Sequence, residues 1–402
     1  MKSVLRFAPP AALLTVSAAA LLIAANIHST QPSDLTVHEW GTFTSVAGED
    51  GSAIEWDALG CQSDLPHFVN DYGYRGFKWR LQGTVRMETP VMFFYSPHQL
   101  DAHVKVAFPN GLITEWYPQA AYQVYQKSAV DGAMRLLPAG LSGIDTSLRS
   151  LAGAIQWKNI QIQPGTSPEL PIEGSPSRYY AARETDAAPI AAGGQHEKFL
   201  FYRGVGRFPV PLSARVSSDG KIAIENPGRE PIPSAVLFEN RNGRIGYRMA
   251  GAIGAAVSFD APQLDGSLPV LRQNLESALI TQGLFPKEAQ AMVETWRDSW
   301  FEEGSRLIYI VPSSMVDAIL PLQVEPAPSQ IVRVFVGRIE LVTPGTRRGV
   351  ESAVSKGDWQ ALERYSRFLK PILARIYSGN PSKADEIEQQ FRNFQALGGG
   401  CR

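Results

Sequence analysis

Between about residues 35 and 259 the apolar positions come in short runs with a period of two. Val104, Val106 and Phe108 alternate with His103, Lys105 and Ala107, the mark of a strand with one buried face. Asn110-Gly111 follows that run and precedes Leu112-Ile113. Asp219-Gly220 separates Ala214-Arg215-Val216 from Lys221-Ile222-Ala223-Ile224, and Asn242-Gly243 separates Val236-Leu237-Phe238 from Ile245-Gly246-Tyr247. Such dipeptides supply the positive φ angles of tight turns, so the pattern predicts three hairpins. Further strands are expected over 39–46, 85–95, 155–162 and 198–202. The stretch 163–194, rich in Pro, Ser, Ala and Gly, reads as a surface excursion or inter-sheet connection.

After Asp265-Gly266 the period lengthens. Ala289, Met292, Val293, Trp296 and Trp300 recur at helical spacing, with Pro286 suited to a first turn and Gly304 to a stop. Asp358 is placed to cap a helix whose stripe is Trp359, Leu362, Tyr365, Leu369, Leu373 and Ile376, with a kink expected at Pro371. A last helix is expected over 384–397. Between them 307–311 reads as a buried strand, and 331–342 fits strand or helix. The predicted fold class is mainly β with a helical C-terminal part (α+β). It comprises an antiparallel β-sandwich over 30–264 and a helix-rich domain over 265–402.

The first 29 residues stand apart. Lys2 and Arg6 precede an apolar run over 11–25 that is short for a spanning helix and suits a signal peptide, an uncleaved anchor being the alternative. The mature chain is therefore expected in the periplasm or outside the cell, with membrane contact only through that segment. The two cysteines, Cys61 and Cys401, are compatible with one disulfide in such a compartment. A formal net charge of −1 without a Lys/Arg run argues against nucleic acid and against a polybasic membrane surface.

Nucleophile-elbow, phosphate-loop, Cys-x-x-Cys and His-Glu-x-x-His motifs are absent. His38-Glu39 begins like the last of these, but in a strand neighbouring side chains point to opposite faces. Three constellations remain. His38, His98, Asp101 and His103 form a metal-ligand set for zinc or another divalent ion, Asp101 and His103 being two apart on one strand. Tyr72, Tyr74, Trp79 and Trp116 offer aromatic faces for a sugar or other planar ligand. Glu88 and Glu115 are a carboxylate pair of the kind glycoside hydrolysis or general-base work requires. Each has a plainer structural reading: hydrogen-bonded histidines, core aromatics and scattered acids.

The strings Val37-His38-Glu39-Trp40-Gly41-Thr42-Phe43-Thr44-Ser45 and Met87-Glu88-Thr89-Pro90-Val91-Met92 are further landmarks. With Leu112-Ile113-Thr114-Glu115-Trp116-Tyr117-Pro118 and the segment from Thr295 to Gly304, they resemble a group of uncharacterised exported proteins of environmental bacteria. That resemblance implies export and a shared architecture, and brings no activity with it. The functional expectation is a binding or surface-interaction module for glycan or envelope polymer. The alternatives are a metal-assisted secreted hydrolase and an accessory or scaffold subunit docking a protein partner.

Overall fold

The fold is taken from a computed structural model that describes residues 33–59, 65–71, 81–128, 133–137, 148–174 and 177–398. The N-terminal segment read as a signal peptide or anchor, Cys61, Cys401, Tyr72, Tyr74 and Trp79 lie outside the described residues. Strand outweighs helix, 41% to 26%, so the chain is mainly β with helices toward its C-terminus, as its sequence leads one to expect.

The early strands are β1 (Ser33–Val46), β2 (Asn70–Asp71), β3 (Val85–Tyr95), β4 (Leu100–Phe108), β5 (Gly111–Tyr117), β6 (Ala121–Lys127), β7 (Met134–Leu136) and β8 (Leu151–Ile162). Next come β9 (Ile190–Ala192), β10 (Gln195–Glu197), β11 (Leu200–Gly206), β12 (Ser213–Val216), β13 (Ile222–Glu225), β14 (Ala235–Arg241), β15 (Arg244–Ala250) and β16 (Ala256–Phe259). Helices α1 (Leu268–Thr281), α2 (Pro286–Thr295) and α3 (Arg297–Trp300) precede β17 (Gly304–Val311). Then follow α4 (Ser313–Ile319), β18 (Leu322–Glu325), β19 (Pro328–Leu341), α5 (Pro344–Lys356), α6 (Trp359–Glu363), α7 (Leu369–Ile376) and α8 (Pro381–Gly398).

Among the described residues, nine strands form one sheet in the order β15-β14-β17-β19-β1-β3-β11-β5-β2. Its middle strand, β1, is antiparallel to β3 but parallel to β19, with Trp40 opposite Val334 and Thr44 opposite Arg338. The expectation of an all-antiparallel sheet is corrected there. Parallel neighbours need a long crossover, and here it is almost the entire chain. Since β19 sits beside β1 and β17 lies between β19 and β14, a border at 264/265 runs through this sheet rather than next to it. A seven-stranded antiparallel sheet is built from β10-β9-β8-β4-β18 with β6 and β7, and β12, β13 and β16 form a small third sheet.

One face of the large sheet, with Val37, Met87, Tyr202 and Leu307, shares an apolar core with Val104, Ile155 and Trp157 of the seven-stranded sheet. Helices cover the other face in two groups. α1 and α2 pack Leu271, Leu275, Met292 and Val293 over Trp40, Phe93 and Val334. α5 to α8 pack Val350, Leu362, Ile372 and Phe391 near Val46, Val205 and Val342.

Two predicted hairpins form: β12–β13 around Gly220 at φ 88, and β14–β15 around Asn242 and Gly243 at φ 52 and 79. Asn110-Gly111 does not make one, because β4 belongs to the seven-stranded sheet and β5 to the nine-stranded sheet. Glycine is required there by crowding: a Cβ on Gly111 would lie 2.4 Å from the Phe108 ring and 2.6 Å from the Val205 carbonyl oxygen. The ambiguous segment 331–342 is strand. The helix expected from Asp358 is capped as predicted, by a bond from the Ala361 N–H to the Asp358 carboxylate. It breaks at a 3₁₀ turn, Ser366–Phe368, and Pro371 lies in the first turn of α7, where a missing N–H is harmless. Among the described residues no helix is long and apolar enough to cross a membrane.

Gly337 of β19 faces Tyr309 of β17, and a Cβ there would lie 2.0 Å from the ring carbon Cζ. Gly337→Ala should therefore lower stability by about 1–3 kcal/mol through overpacking. Urea unfolding checks this, with Tyr309→Leu in the same background expected to recover part of the loss.

Candidate functional site

Chemistry-bearing side chains collect in two places on the helix-covered face of the large sheet. Midway along the strands the pattern turns polar, with Thr42 and Thr44 on β1, Arg86 and Glu88 on β3, Arg306 on β17, and Arg338 and Glu340 on β19 all buried. Spacing of two puts each pair on one face, between the two apolar helix contacts. Arg306 binds Glu340 at 3.0 Å and the carbonyls of Trp300, Glu302 and Glu303 at 3.0, 2.6 and 2.6 Å, fastening the loop after α3 to the sheet. Arg338 reaches Glu340 at 3.2 Å, Glu302 at 2.5 Å and the Ser299 hydroxyl at 2.9 Å. From the helical side Arg367 meets Glu88 at 2.9 Å, and the Phe368 ring lies 4.6 Å from the Arg338 guanidinium and 4.9 Å from that of Arg367. This is why the expected helix breaks where it does: the 3₁₀ turn delivers Arg367 and Phe368 to the belt.

Burial pushes the Glu88 carboxyl up, but Arg367 and Arg86, with Arg338 behind them, outweigh it and hold it at about 2. Glu88 is thus an ionised acceptor at neutral pH with no proton to deliver, which argues against general-acid work. Glu115 lies on β5, accepts from the Thr114 hydroxyl and stands opposite Arg203 of β11. The two carboxylates predicted as a pair therefore share a sheet with β11 between them, roughly 10 Å apart by strand spacing.

The second place is open. Where β1 begins and β3 ends, a cleft of about 740 Å³ lies against residues 164–168, Leu170, residues 185–189 and Lys198. The hydroxyl-bearing residues Thr36, Tyr95, Ser96, Thr166, Ser167 and Thr185 line it, with Asp34 and Asp186, and Ser96 and Thr166 donate to the His98 and Gln163 carbonyls. Its floor is braced from below. Tyr95 packs edge-on against Phe285 at 4.9 Å, and Phe285 stacks on His38 at 4.5 Å. The His38 ring nitrogen Nδ1 lies 2.7 Å from Glu288, whose carboxylate also accepts the Phe285 N–H at 2.9 Å. Burial, and then the Glu288 charge, raise the Tyr95 hydroxyl far above its ordinary value, so it stays a donor. The back wall is equally fixed, since Glu197 is held by Arg183 at 2.7 Å and by the Tyr179 hydroxyl at 3.1 Å.

The predicted metal ligands do not converge. His38 is buried in the nine-stranded sheet as that brace, while Asp101 and His103 are on β4 of the other sheet and His98 is in the turn before it. β8 carries one extra residue opposite His103, with Asn159 at φ 55, and the His103 Nδ1 accepts the Asn159 N–H at 3.1 Å. His103 therefore satisfies a bulge. Among the described residues no three of His, Cys, Asp and Glu are grouped to hold a metal ion. Trp116 is buried in the core between the sheets, stacked on Tyr122 at 5.2 Å, and is no ligand platform. His38 and Glu39 do part to opposite faces, Glu39 binding Tyr202 and Arg333.

Residues not singled out from the sequence include Arg306, Arg338, Glu340 and Arg367. The available signal was Arg-x-Glu inside two strands, Arg86-Met87-Glu88 and Arg338-Ile339-Glu340. The cleft had no such mark, since its far wall comes from the segment read as a surface excursion.

No protein-family model matches the chain, and no curated protein matches it.

The lowered Glu88 value carries a pH signature. Its folded value lies below the ordinary 4.5, so its stabilisation is complete above that pH and disappears as pH falls toward 2. The shift corresponds to about 3 kcal/mol. Glu88→Gln should lose roughly 3–5 kcal/mol at pH 7, because buried arginines lose their counter-charge. It should also lack this part of the acid destabilisation, as urea titrations from pH 7 to 2 would reveal.

Proposed function

We propose that the protein is an exported binding module that takes a glycan, or a glycan-bearing envelope polymer, into the cleft at the start of β1. The observation that supports this is the cleft lining: six hydroxyl-bearing residues on rigidly braced walls around about 740 Å³. That volume is within the range of small-molecule sites, roughly 300–1,000 Å³, and room for one or two sugar rings follows. Hydroxyls donate and accept alike, which suits a polyol whose own hydroxyls do both. The near-zero net charge agrees with a ligand that is polar and carries little charge. The N-terminal segment supports export. We read the stacking of the nine- and seven-stranded sheets as a sandwich, the rigid scaffold on which such a cleft is carried.

Thr36 projects from β1, the best-anchored strand, and Thr36→Val removes a hydroxyl while keeping the side-chain shape. By titration calorimetry against a panel of envelope oligosaccharides, a ligand bound by the wild type should bind this variant about tenfold more weakly. Ser167→Trp, which fills the cleft, should abolish binding, and both variants should keep the wild-type melting temperature. Failure of every oligosaccharide to bind, or undiminished binding by Ser167→Trp, would overturn the proposal.

A further inference from the structure

The wall behind the cleft has a second hollow on its far side. A cavity of about 400 Å³ opens between the 3₁₀ turn Arg178–Arg183 and α2, and Thr185 and Lys198 line both spaces. Lys198 is half-buried, and its ammonium donates to the Thr185 carbonyl at 2.6 Å. The other cations on these walls already have counter-charges: Arg183 binds Glu197 at 2.7 Å and Lys287 binds Asp186 at 2.6 Å. Among the described residues, Lys198 is the wall cation with no carboxylate at ion-pair distance.

The acids nearby do not remove that surplus. Asp186 is neutralised by Lys287, and Glu294 of the second cavity is bound by Arg272 and Arg297, both at 2.6 Å. Asp34 and Glu184 are exposed, where solvent and salt screen their charge more than that of a half-buried group. An ammonium has three donors, and one is taken by the Thr185 carbonyl. The remaining donors and one uncompensated charge fit a monoanionic acceptor.

We infer that Lys198 makes the cleft selective for an acidic glycan, with neutral rings against the hydroxyl-lined walls and a sugar carboxylate on the Lys198 ammonium. This rests on the glycan-binding reading and specifies its ligand class. A lysine that only ties down the Thr185 carbonyl would give no such selectivity, and the two roles separate on substitution. Lys198→Gln keeps a donor for that carbonyl and removes the charge, while Lys198→Arg keeps both.

The experiment compares a uronic-acid oligosaccharide with its carboxyl-reduced counterpart, by calorimetry at low salt. The wild type and Lys198→Arg should bind the acid about tenfold more tightly than the reduced sugar, and added salt should shrink that ratio. Lys198→Gln should bind both sugars equally, at the wild-type affinity for the reduced one. Equal affinity of the wild type for the two sugars, or an acid preference that survives in Lys198→Gln, overturns the inference and leaves the glycan reading standing. Binding of neither sugar brings down both.

Discussion

The pairing of β1 with β19 is the contact on which the rest of the molecule hangs. It brings the first described strand against the last and, after an irregularity between Ser33 and Thr36, keeps them in parallel register from Thr36 opposite Gln330 to Val46 opposite Glu340. With that register set, Thr42 and Thr44 fall on the same face as Arg338 and Glu340, and Trp40 on the same face as Val334. A shift of one residue would exchange those faces and drive charged groups into the core between the sheets. Both the buried ionic belt and the open cleft are thus consequences of one alignment.

The belt is an expensive way to join helices to a sheet. Buried ion pairs often stabilise no more than well-packed apolar groups of the same size, whereas breaking one leaves an uncompensated charge. What the arrangement supplies is specificity. Arg306, Arg338 and Arg367 accept only a few positions of the α3 loop and the turn before α7, so two groups of helices that apolar packing would let slide are fixed in place. The cleft uses the same strategy on a smaller scale, with His38, Phe285 and Glu288 stacked beneath Tyr95.

Local features were legible in the sequence. The strand β3 matches its predicted span, two of three turn dipeptides make hairpins, and Asp358 caps its helix, because each depends on neighbours within a few residues. The failures are non-local. Asn110-Gly111 adopts none of the positive φ angles expected of it, and nothing nearby says that the next strand joins another sheet. The histidines looked like a ligand set because sequence distance stood in for spatial distance, and the two sheets separate them. Glu88 was noticed with Arg86 two residues away, yet Arg367, the charge that does most to keep it ionised, comes from 279 residues further along the chain. The 163–194 segment has a composition that reads as surface, and its role as a cleft wall follows only from what it packs against.

The parallel edge of β1 has a consequence for how the chain is born. A polypeptide that emerges N-terminus first, from a ribosome or through a membrane pore, presents β1 early with its β19 edge bare. The strand that fills that edge arrives only after some three hundred further residues, and contacts of such long range slow folding. Until then the central sheet is incomplete. Exposed edge and apolar surface are also what chaperones recognise and what aggregates exploit. The last strand to arrive completes the first, and α5 to α8 follow to cover the sheet.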